Sequence, residues 1–295
     1  MLHYLFASNQ GGWDVLRLLT YISFRAVAAA VTALLVAFLV GPLILGRLRA
    51  MMVHQVVREG TPDTHKTKGA TPTMGGLIIL AATIVPTLLW ARLDNRYVLL
   101  ALVVTAWMGG IGFLDDYLKL RQKRMGVKNE GLVERYKLAG QIVCGVGLGL
   151  WLWLDPISTL PGASTTVPFF KYWLIVPATA TLAWLYVPFV TVVLTGASNA
   201  VNLTDGLDGL AAGLCAISAV TFAIFAYAMG RIDMSGYLQL FYLRGAGELA
   251  IFCAAMFGAL IGFLWFNAYP AQVFMGDTGS LALGGAIGAV AILLK

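Results

Sequence analysis

Residues 109–120, GGIGFLDDYLKL, end an apolar run with two adjacent carboxylates, Asp115 and Asp116. An ionised carboxylate at the centre of a membrane helix costs about 2.5 to 3.5 kcal/mol on insertion scales. Two neighbouring carboxylates also repel each other. The stretch therefore predicts a helix that crosses a membrane and ends where cations or other polar groups compensate the pair.

The composition of the whole chain agrees with a membrane location. Apolar residues make up 59% of the 295 residues and charged residues 12%, whereas a soluble domain averages about 45–50% and 25%. Cys144, Cys215 and Cys253 lie in apolar runs without CxxC spacing, which favours packing over metal binding or disulfides. We therefore expect one integral membrane domain over residues 1–295.

The apolar runs predict an all-α fold, a bundle in which about eight helices cross the membrane. A bilayer core is spanned by about 20 apolar residues, and eight runs approach that length. We expect spans at residues 24–45, 75–90, 97–114, 138–154, 173–194, 206–229, 248–266 and 279–294.

The positions of Lys and Arg predict which helix ends face the cytoplasm. Twelve of these residues lie in the loops after the first and third spans, against five in the loops after the second, fourth and sixth. Strongly basic loops stay in the cytoplasm, so we expect the N-terminus outside. This asymmetry also accounts for most of the net charge of +6, and no nucleic-acid partner is needed to explain it.

On this assignment, polar side chains gather at helix ends on the cytoplasmic face. Besides Asp115 and Asp116, they come from the loops after the fifth and seventh spans, which contain Asn199, Asn202, Asp205, Asp208, Asn267 and Asp277. Mg²⁺ takes oxygen ligands and usually binds through one or two carboxylates plus substrate phosphates. The sequence therefore predicts a magnesium site at this face.

The loop after the fifth span allows two interpretations. Asp205 and Asp208 are three residues apart, so on a helix they would share a face with Asn202. The alternative is that residues of this loop cap the following helix. Asp277, which precedes the last span, has the same alternative.

Asp115 and Asp116 point about 100° apart if they lie on a helix, so we expect different roles for them. The alternative is a pair of solvated charges at a helix end. An ion-coupled transporter is a further alternative, because intramembrane carboxylates also mark ion pathways. A transporter would place its acids near the midplane, within inverted repeats, and neither feature is evident here.

A second polar stretch, DTHKTKGATPTMGG at residues 63–76, precedes the second span. Its lysines could hold phosphate as point charges, and the amides that open the span could do so as a helix N-terminus. The alternative is a topology signal only. The candidate phosphate contacts are Lys66, Lys68, Thr71 and Thr73.

Four motifs carry a resemblance to a known family: KGATPTMGG (68–76), FLDDYLK (113–119), NAVNLTDGLDGLA (199–211) and FNAYPAQVFMGDTGSLALGG (266–285). They closely resemble the phospho-N-acetylmuramoyl-pentapeptide transferases, which belong to the polyprenyl-phosphate N-acetylhexosamine-1-phosphate transferases. The resemblance implies a Mg²⁺-dependent enzyme of the bacterial inner membrane with its active site on the cytoplasmic face. It would convert UDP-N-acetylmuramoyl-pentapeptide and undecaprenyl phosphate into lipid I and UMP. A related transferase for another UDP-N-acetylhexosamine is the alternative.

The resemblance also implies roles for individual residues. Asp115, Asp116 and Asp277 would be catalytic, and Asp277 would bind Mg²⁺. The implied substrate contacts are Lys68, Thr73, Asn202, Asp205, Asp208, Asn267 and Phe274.

The sequence departs from the family pattern in its histidines. The family has ten spans and a His-rich motif in the cytoplasmic loop before the last, whereas His3, His54 and His65 of this chain lie elsewhere. We therefore expect the sequence to be cut short at its C-terminus. The sequence leaves a homodimer open.

Overall fold

The computed structural model describes residues 14–52, 71–125, 131–157, 164–167, 170–174 and 183–295. These residues are nearly all helical. The α-helices are α1 (Ile22–Met52), α2 (Gly76–Trp90), α3 (Arg96–Arg124), α4 (Glu134–Leu154), α5 (Tyr186–Thr204), α6 (Leu210–Met229), α7 (Ile232–Tyr237), α8 (Leu249–Asn267) and α9 (Gly276–Leu294). Short 3₁₀ helices cover Asp14–Thr20, Ala183–Leu185 and Ala246–Glu248.

The length of the helices agrees with a multi-pass membrane protein. Seven of the described helices are long and apolar enough to cross a membrane. The other predicted span is α2, whose 15 residues reach only about 22 Å. The prediction of an α-helical membrane bundle is thus confirmed, with one of the eight spans short. The outside position of the N-terminus stays a prediction.

Several predicted boundaries are wrong. The third span, expected to end at residue 114, continues as α3 through Asp115 and Asp116 to Arg124. The span expected at 173–194 is described as helix from Tyr186 to Thr204. Its first two residues belong instead to a strand, β2 (Phe170–Leu174), which is antiparallel to β1 (Thr166–Val167), and residues 175–182 lie outside the described residues. The β2 sequence, FKYWL, is rich in the aromatic residues that favour strands. The span expected at 206–229 begins at Leu210, after Gly209 with φ of +77°.

Helices α8 and α9 form the centre of the bundle. Helix α9 packs against α3 and α5, and α8 packs against α1, α2 and α6. Most residues of both helices are buried. The C-terminal ends of α3, α5 and α8 therefore meet the N-terminal ends of α2, α6 and α9 at one end of the bundle.

The opposite end is held by a buried ion pair between α1 and the start of α8. The two terminal nitrogens of the Arg25 guanidinium group, Nη2 and Nη1, lie 2.5 and 2.9 Å from the two carboxylate oxygens of Glu248. Arg25 also donates to the carbonyl of Trp90 at 3.1 Å, and the amide of Arg92 donates to Glu248 at 3.0 Å. This paired geometry satisfies both buried charges and fixes the end of α2 against α1 and α8.

Glycine allows the close approach of α3 to the start of α9. A Cβ atom added at Gly112 would lie 2.1 Å from the carbonyl oxygen of Asp277, whereas one added at Gly110 would meet nothing within 4 Å. Small residues let membrane helices pack backbone to backbone. The position of Asp277 relative to α3 thus depends on Gly112.

We predict that Gly112→Ala destabilises the protein by about 1–3 kcal/mol, because the added methyl group forces α3 away from α9. Gly110→Ala, two residues earlier on the same helix, is the matched control, and alanine there is neutral or slightly stabilising. Thermal unfolding of both variants in detergent measures the difference. Equal unfolding temperatures for the two variants would contradict the close packing.

Candidate active site

The carboxylate of Asp116, about two turns before the C-terminal end of α3, caps the N-terminus of α9. It accepts hydrogen bonds from the Thr278 amide at 2.9 Å, the Thr278 hydroxyl at 2.7 Å and the Asp277 amide at 3.3 Å. The first amides of a helix have no partner within the helix, and the helix dipole favours a negative charge there. Asp116 is only 4% exposed. Its hydrogen bonds therefore fix the first turn of α9 in a buried position.

The first turn of α9 also requires a glycine next to Asp116. Gly276 has φ of +72°, and a Cβ atom there would lie 2.7 Å from a carboxylate oxygen of Asp116. Both the backbone conformation and the close contact favour glycine at this position.

Asp277, the second residue of α9, is held by groups from three other helices. Its Oδ1 accepts a hydrogen bond from the side-chain amide of Asn202 in α5 at 2.9 Å. Its Oδ2 contacts the ammonium group of Lys137 in α4 and lies 3.1 Å from that of Lys119 in α3. Asn202 also donates to Ser280 at 2.8 Å, so α5 fixes the orientation of this carboxylate.

Asp115 is almost completely buried beside Asp277. Its Oδ1 accepts a hydrogen bond from the Leu132 amide at 2.7 Å. Its Oδ2 lies 2.6 Å from Nζ of Lys119 and 3.6 Å from Nζ of Lys137, but accepts no hydrogen bond of good geometry from the described residues. One oxygen of Asp115 therefore anchors the segment before α4, and the other faces the same place as Oδ2 of Asp277.

The three aspartates could hold a metal ion. Asp115, Asp116 and Asp277 each offer a carboxylate oxygen, and these oxygens lie within 4.8 Å of one another. The carboxylate of Asp116 is engaged by the start of α9, whereas Oδ2 of Asp115 and Oδ2 of Asp277 both face ammonium groups. Two carboxylate oxygens directed at one cation position fit a hard divalent cation, which prefers oxygen ligands.

Asp205 and Asp208 lie in the turn between α5 and α6. The expectation that they share a helix face with Asn202 is wrong, because α5 ends at Thr204. Burial, together with the charges of Asp277 and Asp116, raises the pKa of Asp205 to about 7, although a hydrogen bond from the Gly276 backbone acts in the opposite direction. The site thus contains a fourth carboxyl group close to Asp277.

Asn267 and Asp208 hold the loop between α8 and α9. The buried Asn267 side chain donates to the Val273 carbonyl at 2.9 Å and accepts from the Gly209 amide at 3.1 Å. Asp208 accepts from the Ala271 amide at 3.2 Å. These bonds join the α5–α6 turn to the loop that carries Phe274.

The segment before α2 runs along the same loop. The Phe274 amide donates to the Pro72 carbonyl at 2.8 Å, and the Gly75 amide donates to the Phe274 carbonyl at 2.9 Å. Thr73, which lies between them in this segment, is exposed, and Phe274 is half-buried. Lys68 lies outside the described residues.

Sequence reasoning missed the two lysines of the site. From the sequence, Lys119 and Lys137 are only two of the twelve basic residues that predict the cytoplasmic loops. Lys119 lies four residues after Asp115 in α3, a spacing at which helix side chains meet, so a signal for it was present. Lys137 is brought to Asp277 by the packing of α4, and no local pattern marks it.

The fold and the site together define a multi-pass membrane protein with a candidate metal-binding carboxylate cluster at one end of its helix bundle. Residues 98–295 match the family described as Glycosyl transferase family 4.

Three curated relatives named phospho-N-acetylmuramoyl-pentapeptide-transferase are similar over nearly the whole chain. The protein from Gemmatimonas aurantiaca is 72% identical over 295 residues, which are 100% of this chain and 78% of the relative. That from Geobacter sp. strain M21 is 47% identical over 100% of this chain and 79% of the relative. The protein from Chlorobium chlorochromatii is 46% identical over 96% of this chain and 74% of the relative.

The chain therefore belongs to the phospho-N-acetylmuramoyl-pentapeptide-transferase family, a family of phospho-sugar transferases within glycosyl transferase family 4. The resemblance seen in the four motifs is confirmed.

We predict that Asp116→Asn lowers the free energy of unfolding by about 1.5–3 kcal/mol, since it weakens charged hydrogen bonds at the start of α9. Asp155→Asn is the matched control, because Asp155 makes an exposed ion pair with Arg96, and such pairs contribute about 0–1 kcal/mol. Thermal unfolding in metal-free detergent solution measures both. A loss for Asp116→Asn no larger than that for Asp155→Asn would contradict the capping role.

Proposed function

We propose that this chain transfers phospho-N-acetylmuramoyl-pentapeptide from its UDP-linked donor to undecaprenyl phosphate, giving lipid I and UMP for peptidoglycan synthesis. Membership of the family supports this assignment. The observation that carries it is the position of Asp115, Asp277 and two lysines at the ends of apolar helices. A lipid phosphate in the membrane and a nucleotide in water can meet only at such a boundary.

The reaction requires alignment and charge compensation more than covalent participation by the protein. An oxygen of the lipid phosphate attacks the phosphorus that carries the sugar, and the bond from this phosphorus to the UMP oxygen breaks. Phosphoryl transfer of this kind depends on positioning and electrostatic stabilisation. We propose Mg²⁺ as the metal ion, which when bound neutralises charge on the diphosphate oxygens.

The roles of the aspartates differ in this proposal. Asp277 would hold the metal ion, and the hydrogen bond from Asn202 to Oδ1 would keep its carboxylate oriented. Asp115 lies beside the metal position, on the same side of the site as Asp277, and its charge helps to orient the lipid phosphate. Asp116 acts as a positioning residue, because its carboxylate holds the first turn of α9.

The nucleotide is proposed to bind along the loops around Phe274. Aromatic rings stack on nucleobases, and half-buried Phe274 offers such a face for uracil. Asn267 and Asp208 support this loop through their hydrogen bonds. The remaining proposed contacts to the donor are Lys68, Thr73, Asn202 and Asp205.

We propose the bacterial inner membrane as the location, with the site on the cytoplasmic face. The basic loops after the first and third predicted spans support this orientation. It is also the face on which a nucleotide-linked donor is available.

The proposed reaction predicts Mg²⁺-dependent release of UMP by the 295-residue chain in detergent, with undecaprenyl phosphate and UDP-N-acetylmuramoyl-pentapeptide. Asp277→Asn should lower the rate at least about 100-fold, because it removes charge at the reacting phosphates. Asp155→Asn, at the opposite end of the bundle, should leave the rate unchanged.

Two outcomes would contradict the assignment. Release from UDP-N-acetylglucosamine but not from the muramoyl donor would identify a transferase for another sugar. If the folded chain releases UMP from neither donor, the proposed activity is wrong for this chain.

A further inference from the structure

We propose that the Lys137 ammonium group holds the metal position on Asp277 until a divalent cation displaces it, and that the released lysine then binds a phosphate oxygen of the substrate. This inference rests on the proposed role of Asp277 as metal ligand. It assigns Lys137 as a positioning residue that couples metal binding to substrate binding.

Two lysines and two aspartates form a ring of alternating charges in the site. Nζ of Lys119 lies 2.6 Å from Oδ2 of Asp115 and 3.1 Å from Oδ2 of Asp277. Nζ of Lys137 contacts Oδ2 of Asp277 and lies 3.6 Å from Oδ2 of Asp115. Each ammonium group therefore bridges the two carboxylates, in the place where these carboxylates face each other.

The charge of this ring opposes simple addition of a metal ion. The carboxylates of Asp115 and Asp277 contribute two negative charges, and the two ammonium groups contribute two positive ones, so the four groups are neutral together. A divalent cation on Oδ2 of Asp277 would lie beside two ammonium groups, and like charges repel strongly at such separations. One ammonium group must therefore leave Asp277 when the metal binds.

The geometry identifies Lys137 as the group that leaves. Lys119 lies one helical turn from Asp115 in α3 and makes its shorter contact with that residue, so it can keep Asp115 as its partner. Lys137 makes its close contact with Asp277, and its distance to Asp115 is the longer one. It reaches the ring from α4. Lys119 is the more exposed of the two side chains (37% against 19%), but of the two only Lys119 has a carboxylate partner one turn away on its own helix, so the choice of Lys137 rests on the partners and not on exposure.

The displaced lysine would gain a new partner from the substrate. A lysine ammonium group is a mobile point charge on a four-carbon stem and binds phosphate readily. A diphosphate that arrives with the metal brings negative charge for both the metal and Lys137. The site is therefore built to bind the metal weakly alone and more tightly together with an anionic substrate.

The first test uses the unaltered protein and lysine labelling. The chain in detergent is treated with acetic anhydride, with and without saturating Mg²⁺, and acetylation of each lysine is measured by peptide mass spectrometry. We expect Mg²⁺ to raise acetylation of Lys137 several-fold and to change that of Lys119 little. Unchanged or reduced acetylation of Lys137 under conditions where the metal binds would overturn the proposal.

The second test measures Mn²⁺ affinity by electron paramagnetic resonance, without substrate. Lys137→Met should bind Mn²⁺ about tenfold more tightly than the wild type, because the competing charge is gone. Arg135→Met is the matched control. Arg135 lies two residues before Lys137, and its side chain is exposed. Removing its positive charge should change the Mn²⁺ affinity by less than about twofold. Equal affinities for the two variants would overturn the displacement.

A third variant separates this inference from the proposed function. Mn²⁺ binding that survives Asp277→Asn would overturn both the metal assignment and the displacement. Binding that needs Asp277 but is no tighter in Lys137→Met would overturn the displacement alone.

Discussion

The hydrogen bonds from the start of α9 to Asp116 are the interaction on which the site depends. Through them, the turn of α3 around Asp116 and the first turn of α9, which contains Asp277, become one structural unit. The buried carboxylate is compensated by helix amides and a hydroxyl group rather than by a cation. This leaves the neighbouring Asp115 free to face the lysines, so two adjacent residues of one helix perform different tasks.

The packing of the bundle supports this arrangement from a distance. Gly112 allows α3 to approach the backbone of Asp277, and Asn202 reaches the same carboxylate from α5. At the other end, the ion pair between Arg25 and Glu248 fixes α1, α2 and α8. The site is therefore placed by rigid helices, and only the lysine side chains have long flexible stems. A polar site at the end of a helix bundle needs such a scaffold, because its groups must stay aligned for catalysis.

Much of the fold and part of the site could be predicted from the sequence. The lengths of the apolar runs predicted the helices. The charged residues at the ends of these runs indicated that Asp115, Asp116 and Asp277 would come together. The strand at Phe170–Leu174 was missed because a run of aromatic residues fits a buried helix as well as a strand. The capping role of Asp116 and the approach of Lys137 to Asp277 depend on helix packing, which no local pattern records. The expected contact of Asn267 with the substrate stays a prediction; its hydrogen bonds show in addition that it supports the loop of Phe274.

The most direct test of this account is the position of Mn²⁺ in crystals of the protein, located by anomalous diffraction. The account predicts one peak about 2.1 Å from Oδ2 of Asp277, on the side of Asp115, with Asp116 still bound to the start of α9. A metal ion ligated by Asp116, with its hydrogen bonds to Thr278 broken, would contradict the division of roles between the two adjacent aspartates.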